Sequence, residues 1–152
     1  MNHTVASLTL LICAQQSSRN CHTYSPNDYY DVRGLILKTL EAVEGKMESD
    51  DEGLYLVMAE AIIYTDIKVM NLCLEKGLDI NARDEDGRTL LFTAVAWPTL
   101  SPEKMVKRLI EEYGANPNVV DNEGNTLLRY SEPDVKATLN SYGITKDNIS
   151  SS

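Results

Sequence analysis

The chain has 152 residues, which is enough for one domain with a hydrophobic core and too few for two domains of ordinary size. Its net charge of -9 excludes a typical nucleic-acid-binding protein, because phosphate binding requires clustered Lys and Arg side chains. The sequence also has no apolar run of the ~20 residues that a membrane-spanning helix needs, so we expect no membrane partner.

The first predicted element is the apolar run from Val5 to Ala14, which has the length of a signal-peptide core. No Lys or Arg precedes this run, although secretory signals usually begin with positive charge. We therefore expect residues 1–14 to stay attached as an amphipathic cap element of a cytoplasmic protein. The alternative is an exported or periplasmic protein from which residues 1–14 are removed.

Cys21 and His22 are the only neighbouring Cys and His in the sequence. A thiol nucleophile needs a base whose side chain points at it, and adjacent side chains rarely do so. We therefore expect no catalytic residue, no metal site and no cofactor. An enzyme accessory or a minimal thiol hydrolase that uses this pair is the alternative.

The next predicted element is an amphipathic helix over Asp31–Val43, after a turn-rich approach over Tyr24–Tyr30. Helical spacing places five apolar side chains on one face, namely Val32, Leu35, Ile36, Leu40 and Val43. We interpret residues 1–48 as an N-terminal segment that ends in this capping helix.

A short pattern then occurs twice. Gly77 and Gly114 each close an apolar helical pattern, and an Asn follows four residues after each glycine. Each Asn leads into a similar turn, DEDGRTLL from Asp84 and DNEGNTLL from Asp121, so the two turns are 37 residues apart. A fixed period of about 20–50 residues is the signature of a solenoid built from repeated units.

This pattern resembles the ankyrin repeat, in which D-x-x-G-x-T-P-L-H-x-A is followed by a second helix and by G-A-x-x-N. The matching residues are Gly87, Thr89, Leu91, Ala94, Gly114, Ala115, Asn118, Gly124, Thr126 and Leu128. The resemblance implies an all-α fold, a short ankyrin-repeat solenoid of antiparallel helix pairs with an N-terminal helical cap. The resemblance covers about three repeats, from Gly53 to Gly143. We therefore expect the repeat domain at residues 49–145 and a disordered polar tail at residues 146–152.

Local signals predict where the helices of each pair begin. Thr89 and Thr126 precede apolar runs, and we expect their hydroxyls to cap the first helices. Ser101-Pro102 and Glu132-Pro133 are expected to start the second helices, because proline is tolerated at the first helical position. The inward stripe of the helix after Pro102 consists of Met105, Val106, Leu109, Ile110 and Tyr113. The turns are expected to need positive φ at Gly87 and Gly124.

Acidic residues recur at the predicted turn tips, in Glu48–Glu52, Arg83–Asp86 and Asp121–Glu123. They either reflect the solvent preference of turns or form a ladder that attracts a partner with a basic surface. Trp97 is the only tryptophan. It either folds back over the repeat core or contacts a partner, because tryptophan is enriched at binding hot spots.

We therefore expect a non-enzymatic protein-binding module that is monomeric alone, an inhibitor or adaptor acting on one protein partner. By analogy, it would suit an immunity-type protein that neutralises a toxin. A structural subunit of a larger assembly is an alternative from another class. The expected partner-binding residues are Asp84, Glu85, Asp86, Arg88, Trp97, Leu100, Asp121, Asn122, Glu123 and Arg129.

Overall fold

The computed structural model describes residues 2–18, 26–97, 99 and 101–146. The described elements are α1 His3–Ser18, α2 Pro26–Ala42, α3 Glu52–Tyr64, α4 Ile67–Glu75, α5 Leu90–Ala96, α6 Pro102–Glu111, a 3₁₀ turn Leu127–Tyr130 and α7 Pro133–Ser141. Within these ranges, β geometry is limited to an isolated antiparallel bridge between Val120 and Thr126. The predicted all-α fold is therefore confirmed. No described helix combines the length and apolar character that crossing a membrane requires.

The chain divides into two compact units, residues up to Asp79 and residues from Ile80 onward. In the first unit, α1 packs against α2 and α3, and α4 also packs against α2 and α3. The four helices share one core, and its fully buried side chains include Leu10, Ile36, Leu54 and Met70. The first unit is thus a pair of helices, α1 and α2, stacked on a second pair, α3 and α4.

The N-terminal third forms a pair of helices, α1 and α2, where the sequence predicted a cap element over residues 1–14 and a capping helix over Asp31–Val43. α2 begins at Pro26, so the turn-rich approach expected before residue 31 is helical from that proline on. The ring of Tyr29 is buried and stacks on Tyr64, with centroids 4.4 Å apart, and its hydroxyl donates to Asp66 Oδ2 at 2.9 Å. Because Tyr29 fixes the buried face of α2, Leu35 is half exposed, whereas the sequence placed it on that face.

A glycine permits α1 to lie directly on α3. A Cβ atom at Gly53 would lie 2.6 Å from the carbonyl oxygen of Ser7, which is closer than real Cβ atoms come. The buried face of α1 consists of Ala6, Leu10, Cys13 and Ala14. Its exposed apolar residues are Val5, Leu8 and Ile12. The apolar run that resembles a signal-peptide core is therefore part of the packed first unit.

In the second unit, α5 packs against α6 and the 3₁₀ turn, and α6 packs against α7. The predicted starts of the second helices are confirmed, because α6 begins at Pro102 and α7 at Pro133. Of the stripe predicted for α6, Met105, Val106 and Leu109 are buried, and Ile110 and Tyr113 are partly exposed. The expected tail lies outside the described residues from residue 147 onward.

The first helices of the second unit begin where predicted, but the threonine hydroxyls do not cap them. α5 follows Thr89 and the 3₁₀ turn follows Thr126, yet neither side chain accepts an amide hydrogen of the first turn. Thr126 Oγ1 donates instead to the carbonyl of Lys146, and Thr89 Oγ1 is buried without a hydrogen-bond partner among the described residues. The 3₁₀ turn stays short because Glu132, which precedes Pro133, is held in an extended conformation.

Candidate functional site

Two loops of the second unit, residues 82–88 and 119–125, are built alike, and we name them the paired tips. In the first loop, Asp84 Oδ1 accepts the amide hydrogens of Asp86 at 2.9 Å and Arg88 at 3.0 Å. The amide of Gly87 donates to the carbonyl of Asp84 at 3.0 Å, and its φ is 74°. The predicted positive φ is confirmed, and the Asp84 carboxylate is held by the loop that it closes.

The second loop repeats this construction 37 residues later. Asp121 Oδ1 accepts the amide hydrogens of Glu123 and Asn125, both at 2.9 Å. The amide of Gly124 donates to the carbonyl of Asp121 at 3.0 Å, and the φ of Gly124 is 81°. The similar amino-acid sequences of the two turns therefore form the same hydrogen bonds.

The paired tips are also bonded to each other. The amide of Asn122 donates to the carbonyl of Asp86 at 2.9 Å, and its side-chain Nδ2 donates to the carbonyl of Glu85 at 2.8 Å. Arg83 Nη1 donates in the other direction, to the carbonyl of Val120 at 3.0 Å. The two loops thus present one joint surface, and the side chain of Asn122 holds that surface together.

Asp121 differs from the sequence prediction, which placed it at a solvated tip. The residue is only 5% exposed, its Oδ2 accepts a hydrogen bond from the Tyr130 hydroxyl at 2.7 Å, and Arg88 Nε lies 3.7 Å from the same oxygen. Burial alone would raise the pKa of Asp121, but hydrogen bonds from Tyr130 and Asn125 outweigh it and lower the pKa. Asp121 is therefore a buried anchor of the second loop.

Arg88 lies between the buried carboxylate and an aromatic ring. Its guanidinium carbon is 5.0 Å from the centroid of the Tyr130 ring, and its Nη2 donates to the Tyr130 hydroxyl at 3.2 Å. A guanidinium over a ring face is attracted by the ring quadrupole. The charge of Arg88 is thus compensated largely within the protein, by Asp121 and by Tyr130.

A shallow depression of about 90 Å³ lies beside the paired tips, and we name it the Trp97 depression. Its lining consists of Asp84, Arg88, Phe92, Thr93, Ala96, Trp97 and Tyr130. The indole of Trp97 is 51% exposed, so it is not folded away over the repeat core. Phe92 is buried beneath the surface, and its ring meets the Tyr130 ring at a centroid distance of 5.9 Å.

The predicted binding residues fall into different environments. The exposed ones are Asp84, Glu85, Asp86, Trp97, Asn122, Glu123 and Arg129. Arg88 is partly buried and Asp121 is buried, whereas Leu100 lies outside the described residues. The structure adds Phe92, Thr93, Ala96 and Tyr130 to the depression. Thr93 could have been found from the sequence, because it precedes Trp97 by one helical turn.

The acidic segment Glu48–Glu52 of the first unit is built differently from the paired tips. Asp51 is the N-cap of α3, and its Oδ1 accepts the amide hydrogen of Leu54 at 3.0 Å. The same oxygen accepts a hydrogen bond from Ser7 Oγ at 3.0 Å. The carboxylate of Asp51 therefore joins α1 to the start of α3.

The described residues offer little to a catalytic interpretation. No group of three or more His, Cys, Asp or Glu among them could hold a metal ion. Cys13 and Cys73 are buried, and burial raises the pKa of both thiols, which disfavours the reactive thiolate. The pair Cys21 and His22 lies outside the described residues.

Helix pairs that recur along the chain, with loops of the same construction, define a helical repeat protein. The family model described as "Ankyrin repeats (many copies)" matches residues 58–97, and the model described as "Ankyrin repeat" matches residues 86–122. Residues 58–122 of the chain therefore contain ankyrin repeats. The matched region is accordingly a protein-protein interaction module.

The chain is similar to two proteins whose names describe ankyrin repeats. An ankyrin repeat-containing protein of Schizosaccharomyces pombe is 30% identical over 90 residues, which are 59% of this chain and 40% of that protein. An ankyrin repeat protein of Acanthamoeba polyphaga mimivirus is 40% identical over 53 residues, which are 35% of this chain and 6% of that protein. The chain thus spans less than half the length of either relative.

Proposed function

We propose that the second unit binds one protein partner through the paired tips and the Trp97 depression. The observation that carries this proposal is the half-exposed Trp97 ring beside two acidic loops that are hydrogen-bonded to each other. Tryptophan is enriched among the few residues that dominate interface energetics. A surface that is already ordered also loses little conformational freedom on binding.

Cavity size favours a protein partner over a small molecule. Small-molecule sites usually enclose about 300–1,000 Å³ and are mostly apolar. The Trp97 depression, at about 90 Å³, is far smaller. A wider groove of about 480 Å³ in the first unit is lined by Glu41, Gly45, Lys46, Leu72, Glu75 and Lys76. Charged side chains dominate that lining, so the groove lacks the apolar walls of a typical ligand site.

The charges of the paired tips favour a partner with a basic surface. Glu85, Asp86 and Glu123 are exposed there, on a chain of net charge -9. Complementary fields steer encounter and suppress wrong partners. In this proposal the chain acts as a monomeric, non-enzymatic inhibitor or adaptor that covers part of the partner's surface. Neutralising a toxin would be one form of that role.

We further propose that the protein is cytoplasmic and retains residues 1–14. The support is the packing of α1, which buries Leu10 and Cys13 in the core of the first unit. Removing this segment would expose the apolar face of α3 on which it lies. An intact-mass measurement of protein from its native source should find the segment, and a mass beginning near Gln15 would overturn this part of the proposal.

Affinity capture tests the proposed function, with the intact chain as bait and mass spectrometry as the readout. Trp97→Ala should weaken retention of the recovered partner by about tenfold or more, as expected for a hot-spot residue. Leu35→Ala is the control, because Leu35 is 50% exposed but belongs to the first unit and is not part of the proposed site. A partner that all three baits retain equally would contradict the proposal.

A structural subunit is the second candidate, and one feature of α1 favours it. Val5, Leu8 and Ile12 form an exposed apolar face, and His3–Ser18 contains no Asp, Glu, Lys or Arg. Two acidic copies could therefore meet at α1 without strong charge repulsion. Light scattering after size exclusion should then show a dimer that Leu8→Glu converts to a monomer. A wild-type monomer at the highest soluble concentration rejects this candidate.

A further inference from the structure

We propose that the Trp97 depression receives a lysine side chain of the protein partner. This inference rests on the proposed function, because it names the group that the depression would recognise. The methylene stem of the lysine lies against Trp97, and its ammonium group binds the carboxylate of Asp84.

The walls of the depression suit a narrow apolar stem. Ala96 and Trp97 lie at the end of α5, and Phe92 lies about one turn earlier. The rings of Phe92 and Tyr130 meet in an edge arrangement, and the half-exposed Trp97 offers apolar surface at the side of the depression. A lysine places its methylene groups along apolar surface while its charged end stays near water. A volume of about 90 Å³ admits one such side chain.

The charges around the depression favour a cation, although Arg88 also lines it. Arg88 Nε lies 3.7 Å from the buried carboxylate of Asp121, and its Nη2 donates to Tyr130, so its charge is compensated within the protein. Asp84 makes no ion pair within 4.0 Å in the part of the chain that the structure describes. Two backbone amides fix its Oδ1, so the carboxylate is already oriented before a partner arrives.

Lysine fits this site better than arginine or an acidic residue. Arg88 already covers the face of Tyr130, so an incoming guanidinium could not stack there. A bidentate guanidinium also needs two available carboxylate oxygens, and Asp84 Oδ1 already accepts two amide hydrogens. An ammonium group is a compact charge, so it can bind a single carboxylate oxygen without a fixed planar geometry. A carboxylate would meet the negative charge of Asp84 together with that of Glu85 and Asp86.

Fluorescence of Trp97 tests the inference directly, because the chain has one tryptophan. The probes are the capped peptide Ac-Gly-Gly-Lys-Gly-Gly-NH2 and its counterparts with norleucine, arginine or glutamate in place of lysine. We expect the lysine peptide to change the emission of Trp97 saturably, with a Kd at least about fivefold lower than those of the three counterparts, which corresponds to about 1 kcal/mol.

Two matched variants identify the carboxylate. Asp84→Asn keeps the oxygen that accepts the two amides and removes the charge, so it should weaken lysine-peptide binding about fivefold or more, comparable to losing one charge-assisted contact. Glu85→Gln removes a neighbouring exposed charge that does not line the depression, and it should change the Kd by less than about twofold. Circular dichroism should show that both variants fold like the wild type.

The outcomes separate this inference from the proposed function. Three outcomes would overturn the lysine site. No peptide changes the emission of Trp97, all four peptides change it equally, or Asp84→Asn leaves the response to the lysine peptide unchanged. If the captured partner still requires Trp97 in that case, the proposed function stands and only the lysine is wrong. If the captured partner does not depend on Trp97 either, both proposals fail.

Discussion

At the scale of single residues, Gly87 shows how one backbone position joins two repeats. Its φ is 74°, and a Cβ atom there would lie 2.3 Å from Asn122 Oδ1. Gly114 has the same φ, but a Cβ atom there would meet nothing within 4 Å. Gly114→Ala should therefore cost only the conformational strain, about 1–2 kcal/mol, whereas Gly87→Ala should cost at least about 1 kcal/mol more, because it also displaces Asn122.

Urea unfolding of the two alanine variants measures this difference, and the unfolding slope should stay constant so that only stability changes. Equal losses for Gly87→Ala and Gly114→Ala would show that the contact between the tips adds nothing to the cost of the backbone conformation.

Asp121 is the second residue whose substitution gives a clear expectation. Asp121→Ala should lower the free energy of unfolding by about 2–4 kcal/mol, because the Tyr130 hydroxyl loses its acceptor and the partly buried Arg88 loses its ion-pair partner. Glu123→Ala, two residues away on the exposed side of the loop, should stay within about 0.5 kcal/mol of the wild type. Thermal or urea unfolding tests the pair. A neutral Asp121→Ala variant would contradict the role of Asp121 as a buried anchor.

At the scale of helices, α1 offers a matched pair of leucines. Leu10 is 0% exposed, whereas Leu8 on the opposite face is 55% exposed. Leu10→Ala should lower the free energy of unfolding by about 2–4 kcal/mol, since it removes packed methyl groups and leaves a cavity. Leu8→Ala should change it by less than about 0.5 kcal/mol. Similar small effects at both positions would mean that α1 does not contribute to the core of the first unit.

The contact between α2 and α4 predicts a pH dependence. Asp66 caps α4 and accepts hydrogen bonds from Arg33 Nε at 2.5 Å and from the Tyr29 hydroxyl at 2.9 Å. Burial alone would raise the pKa of Asp66, but the hydrogen bonds from Arg33 and Tyr29 outweigh it, so the pKa is lowered. A lowered folded-state pKa adds stability above the unfolded value of about 3.9, and this is lost as pH falls through the folded-state pKa.

Arg33→Met should therefore destabilise the protein near neutral pH, and the difference from wild type should shrink as pH falls from about 5 towards 2. Lys38→Met on the exposed side of α2 is the control, and it should show no such convergence. Urea unfolding across this pH range provides the measurement. A constant difference between Arg33→Met and wild type would exclude the ion pair as its source.

Helix boundaries in the second unit could be predicted because their causes are local. Pro102 and Pro133 act at their own positions, and the turn glycines need only the backbone of their own loop. The start of α2 at Pro26 has the same kind of local signal, which was missed because residues 24–30 were interpreted as a turn. The buried face of α2 could not be predicted locally, because Tyr29 packs against residues more than thirty positions away. The cap at Thr126 was wrong because its hydroxyl donates to the distant carbonyl of Lys146. The cap at Thr89 was also wrong, although no other hydrogen-bond partner takes its place among the described residues.

The same distinction between local and distant causes applies to the residues of the candidate site. Asp84, Glu85 and Asp86 could be named from turn chemistry, because that chemistry places them in an exposed loop. The burial of Asp121 could not, because it depends on Tyr130 turning back onto the loop in a 3₁₀ turn that the repeat pattern does not show. The place of Phe92 beneath the depression was missed because its ring packs against Tyr130 of the following repeat.

At the scale of the whole molecule, net charge predicts how association depends on salt. Reversing the charges of Glu85 and Asp86 to lysine should slow association with the captured partner about tenfold or more at low salt, because complementary fields act mainly on the encounter rate. The wild-type rate should itself fall as salt shortens the screening length from about 10 Å at 0.1 M to about 3 Å at 1 M. Stopped-flow or surface-based kinetics measures both effects.

The matched control reverses Glu41 and Glu75 in the first unit, so that the net charge changes equally. Asp84 and Asp121 are left intact because their carboxylates build the loops. If both double variants associate at the same rate, only the overall charge steers the partner, and the paired tips have no special part in the encounter.

The hydrogen bond from the amide of Asn122 to the carbonyl of Asp86 has a consequence for local opening. Asn122 lies at an exposed tip, where amide hydrogens normally exchange quickly with water. Its amide can exchange only when the two loops separate, so its protection measures the opening of two repeats at once. Native-state hydrogen exchange at Asn122 would thus report the coupling free energy between neighbouring repeats from a position on the surface.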